Sequence, residues 1–242
     1  QASQTATEVM LSFQDVSKVF GGLVALDGVS GHVQTGEILG IIGPNGAGKT
    51  TLFNVVCGAL SLTGGEISFQ SQIITTLPCH RIASLGIART FQNIRLFRQM
   101  TALENVLVGR HRKGSAGLFG AVLRLPGMRR EEQRLHDDAL SYLHMVGLAE
   151  RASALAGSLT TGQQRLLEIA RALAAEPEIV LLDEPAAGLN TRETQALAEF
   201  IRRMQEELGL TVMLIEHDMR LLMEVAERVL VIDRGRKIAE GT

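Results

Sequence analysis

The spacing of apolar positions changes period twice along this chain. Val9 to Phe13, Val29 to Val33 and Glu37 to Ile42 are short apolar or alternating runs with glycines between them, which predicts strands. Gly65 to Phe69 and Gln72 to Ile74 predict a hairpin. From Thr101 to Ala175 the spacing turns helical, over Ala102 to Val108, Arg130 to Val146 and Gln163 to Ala175. Strands return at Ile179 to Leu182, Thr211 to Ile215 and Arg228 to Ile232. Helices over Arg192 to Leu208 and Met219 to Val225 separate them. Strand–helix alternation implies parallel pairing with right-handed crossovers. The expectation is an α/β core interrupted by a mostly helical insertion, with boundaries near Gln92 and Gln163.

One run changes that picture from architecture to chemistry. Gly43, Pro44, Asn45, Gly46, Ala47, Gly48, Lys49 and Thr50 fit G-x-x-x-x-G-K-[ST], a phosphate-binding loop. The strand Ile38 to Ile42 precedes it and a helix predicted over Thr51 to Leu60 follows it. Glycines let the backbone wrap closely, so that its N–H groups point at phosphate oxygens. The helix N-terminus adds partial positive charge. Lys49 would reach the β- and γ-phosphates, the Thr50 hydroxyl would bind Mg²⁺, and Thr51 completes the nucleotide set. A second signal lies downstream, where the strand Ile179 to Leu182 ends in Asp183 and Glu184. In a phosphate-loop protein Asp183 would hold Mg²⁺ opposite Thr50. Glu184 would polarise a water against the γ-phosphate.

Composition narrows the class. With 242 residues and 45% hydrophobic content the chain suits one large domain, or one domain plus a subdomain. A net charge of -2 argues against a nucleic-acid-coating protein. No apolar run approaches the roughly 18–20 residues of a membrane helix. Gln1 to Glu8 is polar and small, so it reads as a disordered or cloning-derived segment rather than a signal peptide. Cys57 and Cys79 give neither a disulfide framework nor a metal spacing, and Cys57 reads as a core residue. The six histidines show no ligand pattern, so no zinc site is expected.

Leu159-Thr160-Thr161-Gly162-Gln163-Gln164-Arg165 sits shortly before the acidic strand end. There the chain resembles the ABC-transporter ATPases, whose L-S-G-G-Q signature occupies that place. Phe20 falls where that family has an adenine-stacking aromatic. Gln92, in Arg89-Thr90-Phe91-Gln92-Asn93, falls at the Q-loop. Gly188-Leu189-Asn190 falls at the D-loop, and His217 at the switch histidine. The resemblance covers nearly the whole chain from Val9 onward. On residues alone, Phe20 could be a strand-edge core aromatic, Gln92 a loop amide and His217 a strand-end cap. Thr160 is also a good helix N-cap. Two departures stand out. Thr161 replaces the first signature glycine, and Asn190 replaces the usual D-loop aspartate, which removes a charged contact but leaves a hydrogen bond.

Arg89 to Gln92, Gly117 to Gly120 and Leu182 to Asn190 look like the branched-chain amino-acid importer ATPases, in particular the longer of their two paired subunits. The resemblance implies a phosphate-loop core of ABC type with peripheral antiparallel strands, residues 9–92 and 164–242, and a helical subdomain, residues 93–163. It implies ATP and Mg²⁺ as cofactors. Glu184, His217 and Gln92 would be catalytic, and Thr50, Gln92 and Asp183 would hold the metal. Thr160, Thr161, Gly162 and Gln163 would act in trans on a second ATPase subunit, a paralogue or a second copy, in a head-to-tail dimer. Membrane permease subunits would dock near Gln92, Leu96, Phe97 and Met100, and an external solute-binding protein would act indirectly. That places the protein at the cytoplasmic face of the plasma membrane, with no nucleic-acid partner. The alternatives are another ABC system (urea uptake or lipopolysaccharide export) or a non-transport ABC ATPase. The insertion from Arg110 to Glu132 marks the subgroup. It reads as a packed satellite of the helical subdomain, or alternatively as a hairpin facing the membrane domain or lipid. The family's usual chain continues past Gly241-Thr242, so the expectation is that its C-terminal helix is missing here.

Overall fold

The computed structural model describes residues 8–110 and 126–242. Most of the insertion read at Arg110 to Glu132 therefore lies outside the described residues, as does the Gln1 to Glu8 segment apart from its last residue.

Six strands form the central sheet, in the order β10 (Arg236–Gly241), β9 (Arg228–Asp233), β3 (Ile38–Ile42), β8 (Thr211–Ile215), β7 (Ile179–Asp183) and β6 (Ile87–Arg89). All neighbours pair in parallel except β10, which returns antiparallel along β9. Both faces of this sheet are covered. Ile38, Val180, Leu182, Val212 and Leu214 point into one core with the helices, while Leu39, Ile41, Ile179, Leu181 and Met213 point into the other. Burial on both faces explains why these strands read as continuous apolar runs.

A second, antiparallel sheet covers the other core, in the order β2 (Leu23–Gln34), β1 (Val9–Phe20), β4 (Gly64–Phe69) and β5 (Gln72–Ile73). The helix α1 (Lys49–Val56) follows β3, and its Leu52, Phe53 and Val56 are fully buried beneath this sheet. On the opposite face lie α3 (Ala102–Arg110), α4 (Pro126–Met145), α5 (Thr161–Leu173), α6 (Thr191–Leu208) and α7 (Met219–Val225). Arg110 on α3 forms ion pairs with Asp138 on α4 and with Glu176. It is thus an internal tie between α3, α4 and the residues after α5.

Several boundaries differ from the sequence reading, some for a local reason. β1 continues from Phe13 to Phe20 because a bulge at Asp15, with φ of 49°, breaks the alternation without ending the pairing. β2 begins six residues earlier than Val29, in an exposed hairpin arm. The helix predicted over Thr51 to Leu60 spans Lys49–Val56 instead and stops just before Gly58, which is left-handed at φ of 67°. α4 is described over Pro126–Met145, against a predicted Arg130 to Val146. Three short elements carried no readable period: α2 (Cys79–Ser84), the three-residue β6, and the wholly exposed β10.

Gly109 lets α3 approach α5 closely. A Cβ there would lie 2.2 Å from the carbonyl oxygen of Arg171 on α5. Gly109→Ala should therefore force α3 and α5 apart and cost about 1–3 kcal/mol, the range for overpacking a tight interface. Urea unfolding of the parent and the variant measures this, and equal midpoints would mean that the helices give way freely.

Candidate functional site

Parallel pairing sends the C-terminal ends of β3, β6, β7 and β8 to one edge of the sheet. The loops that follow carry the phosphate-loop sequence, Gln92, Asp183 with Glu184, and His217. Ligands of open α/β sheets bind at this edge. Here it opens into a cleft of about 390 Å³. Phe20, Asn45 to Thr51, Gln92 and Glu184 line it, together with Leu23, Val24 and Ala25 of the β1–β2 hairpin.

The loop is shaped for an anion. Gly43, Gly46 and Gly48 have φ of 154°, 80° and 105°, and a Cβ on Gly43 would lie 1.9 Å from the Ile232 carbonyl oxygen. Gly46 faces open space instead. Pro44 and Asn45 are exposed, while Ala47 is buried. Gly48 is the N-cap of α1 and offers no side-chain acceptor, so the first-turn N–H groups stay available to a ligand. The Lys49 ammonium donates to the carbonyls of Gly43 (2.7 Å) and Pro44 (2.9 Å). Burial lowers its pKa, against the opposing charges of Glu184 and Asp183.

The two neighbouring carboxylates have different settings. Asp183 ends β7 and is fully buried; Arg89 Nη2 donates to its Oδ2 at 2.8 Å. Burial raises its pKa, opposed by that guanidinium. Its Oδ1 is buried without a hydrogen-bond partner. An orphaned carboxylate oxygen beside a phosphate loop suits a hard cation that takes one carboxylate and completes its shell with phosphate and water. The residues present thus fit Mg²⁺. Glu184 adopts φ of 50°, uncommon for a residue with a side chain, and its N–H donates to the Ile215 carbonyl at 2.9 Å. This turn aims the carboxylate into the cleft. Gln92 Nε2 donates to Glu184 Oε2 at 2.7 Å, and His217 Nε2 lies 2.8 Å from Glu184 Oε1. The three residues read as catalytic therefore meet at one point. Phe20, at 41% exposure, sits at the cleft mouth rather than in a core.

Sequence comparison agrees with this geometry. The family described as ABC transporter matches residues 26–187. The chain belongs to that family. It is 44% identical over 236 residues to the high-affinity branched-chain amino acid transport ATP-binding protein LivG of Escherichia coli strain K12, covering 98% of this chain and 92% of that protein. Among solved structures it is similar to the ADP conformation of an ATP-binding cassette of an ABC transporter, at a TM-score of 0.83 and 32% identity over 97% of this chain and 91% of that one. A dimeric cassette bound to ADP and Pi is similar at a TM-score of 0.83 and 27% identity, over 96% and 98% of the two chains.

The ABC signature residues lie apart from this cleft. Thr160 caps α5: its hydroxyl accepts from Gln163 N at 3.3 Å, and Gln163 Oε1 accepts from Thr160 N at 3.1 Å. Thr161 is exposed beside Gly188, whose added Cβ would lie 3.8 Å from Thr161 Cγ2. Gly162 is buried against Glu193, the residue that completes the α6 cap at Asn190. None of the four signature residues is among those lining the cleft.

Four positioning residues of this cassette were not read from sequence. Arg165 donates to the carbonyls of Phe91 (2.9 Å) and Gln92 (2.5 Å). Glu168 accepts from Arg95 N at 3.1 Å, and Arg171 donates to the Arg95 carbonyl at 2.5 Å. Together they fasten the Gln92 loop to α5. Their trace in the sequence is charge at three-residue intervals on an otherwise apolar helix face. Glu216, only 4% exposed, accepts from Ala186 N (2.7 Å) and His217 N (3.1 Å), so it ties the loop carrying Glu184 to the loop carrying His217. Its trace is an acid at the end of a buried strand. Glu216→Ala should leave the buried Ala186 N–H unpaired and free the His217 N–H, at a cost of about 1–3 kcal/mol. Glu216→Gln, which keeps an acceptor, should cost less. Thermal unfolding of both variants checks the order, and an alanine variant as stable as the glutamine one would refute the tie.

Proposed function

We propose that the protein is the ATP-hydrolysing subunit of an importer for branched-chain amino acids, working as one half of a head-to-tail pair with a paralogue or a second copy. The observation that carries this reading is the convergence of Gln92 and His217 on Glu184 at the rim of the phosphate-loop cleft. The relationship to LivG supports the cargo class, and the likeness to a dimeric cassette supports the pairing.

In this reading Phe20 stacks on adenine, and the amides from Gly43 to Thr51 with Lys49 hold the phosphates of ATP. Thr50, Asp183 and Gln92 would hold Mg²⁺. When bound, the ion neutralises charge developing on the phosphate oxygens. Glu184 orients and deprotonates the attacking water, and His217 holds that water and the γ-phosphate in line. Thr160, Thr161, Gly162 and Gln163 of the partner subunit present the α5 N-terminus to the same phosphate. This explains why they stand away from their own cleft. Catalysis is mainly positioning and electrostatic stabilisation. Binding at the shared site closes the pair and hydrolysis releases it.

Permease subunits dock beside Gln92. Phe97 is 50% exposed, and Leu96 and Met100 are half-buried, so an apolar surface adjoins the loop whose backbone α5 grips. No helix among the described residues is long and apolar enough to cross a membrane. Attachment to the cytoplasmic face of the plasma membrane through the permease fits that, with an external solute-binding protein delivering the cargo.

Phe20→Ala should weaken ATP binding by about 1–3 kcal/mol, the scale of base–aromatic stacking. Phe20→Tyr should retain it. Calorimetric titration with ATP tests both, and two variants that bind like the parent would remove Phe20 from the site.

Glu184→Gln keeps the shape but loses the base. Hydrolysis should fall at least about 10²-fold. ATP should now drive a stable dimer, alone or with the paralogue, as read by size-exclusion chromatography with light scattering. Adding a bulky residue at Gly162 should abolish that dimer. A Glu184→Gln chain that hydrolyses normally, or never associates even with its partner, would overturn the shared-site mechanism.

A further inference from the structure

Arg89 has no role in the scheme above, yet it touches every segment that carries a metal-holding residue. It closes β6 with a side chain only 7% exposed. Nη2 donates to Asp183 Oδ2 at 2.8 Å, and Nη1 donates to Asn54 Oδ1 at 2.7 Å. Asn54 lies on α1, the helix that begins with Lys49 and Thr50. The guanidinium also lies over two aromatic rings, 5.7 Å from the Phe53 centroid and 5.1 Å from that of Phe91, the residue before Gln92. One planar group thus joins the phosphate-loop helix, the acidic strand end and the Gln92 loop.

Its fork geometry matters. A guanidinium offers fixed, diverging donors, whereas an ammonium is a point charge that cannot hold two partners in one plane. Asp183 is held through one oxygen only. Oδ2 takes the arginine, and Oδ1 is left buried and without a partner.

We propose that Arg89 is a positioning residue for the metal: it pins the Asp183 carboxylate by Oδ2, registers it against α1 through Asn54, and so presents Oδ1 as the cation-side oxygen. The proposal rests on the nucleotide-site reading above. Arg89 itself touches neither ATP nor the ion. Groups that orient metal ligands in this way typically change metal affinity by 10–100-fold when removed.

The test measures metal coupling rather than turnover. Full-length parent, Arg89→Met, Arg89→Lys and Asp183→Asn are titrated with a fluorescent ribose-labelled ATP, once with Mg²⁺ and once with EDTA. The quantity read is the factor by which Mg²⁺ strengthens binding. In Arg89→Met that factor should fall about ten-fold, while binding in EDTA, which depends on the phosphate loop, stays as in the parent. Arg89→Lys should recover part of the factor, because it restores charge at Oδ2 but not the link to Asn54. If Arg89→Met does not fold, Arg89→Lys carries the test and should still show a reduced factor. Parental Mg²⁺ enhancement in the arginine variants overturns the proposal, as does a loss that is equal with and without Mg²⁺, which a merely structural ion pair would give. An Asp183→Asn chain that keeps the full enhancement overturns the metal assignment itself, and the proposal with it. Loss in Asp183→Asn alone overturns only the role of Arg89.

Discussion

A sheet buried on both faces leaves polar chemistry only the ends of its strands. The strands β3, β7 and β8 present apolar side chains alternately to two separate cores, so neither face can carry a charge cheaply. Of the two ends, the amino end carries the Glu37–Arg228 ion pair and the carboxyl end carries the cleft. Because β3, β6, β7 and β8 run parallel, their four following loops emerge together, although they are spread over more than half of the chain. The cleft follows from strand direction before any side chain is chosen.

Within that edge a single peptide step separates two carboxylates into different media. Asp183 continues the strand geometry and stays inside, where an arginine balances it. Glu184 breaks that geometry with a left-handed φ of 50° and turns outward. Such a conformation costs on the order of 1–3 kcal/mol in a residue that carries a side chain. The hydrogen bond from its N–H to Ile215, and the grip of Glu216 on Ala186 N, hold the loop in that form. Backbone geometry thus turns Glu184 into the cleft and keeps Asp183 inside.

Legibility in the sequence followed locality. The phosphate loop was readable because eight consecutive residues have to satisfy one ligand, and Asp183 and Glu184 because they end a strongly apolar strand. The helices α5, α6 and α7 were found to within a few residues, since their periods are long or well bounded. β6 has only three residues and β10 has no buried face, so neither showed an alternation. Contacts across long separations were also hidden. Arg89 reaches Asn54 and Asp183, and Arg165 reaches Phe91 and Gln92, partners that no spacing rule connects. His217 and Gln92 became visible only through family resemblance, and the structure then placed both on Glu184.

The packing of Gly162 on Glu193 bears on how this chain can vary. A Cβ at position 162 would lie 2.8 Å from Glu193 Oε1, while Glu193 Oε2 is committed to the Asn190 N–H. The signature and the loop after the acidic strand thus share one carboxylate. A larger residue at 162 displaces the Glu193 carboxylate, and with it the acceptor of the Asn190 N–H, so a change in the signature is felt at the start of α6.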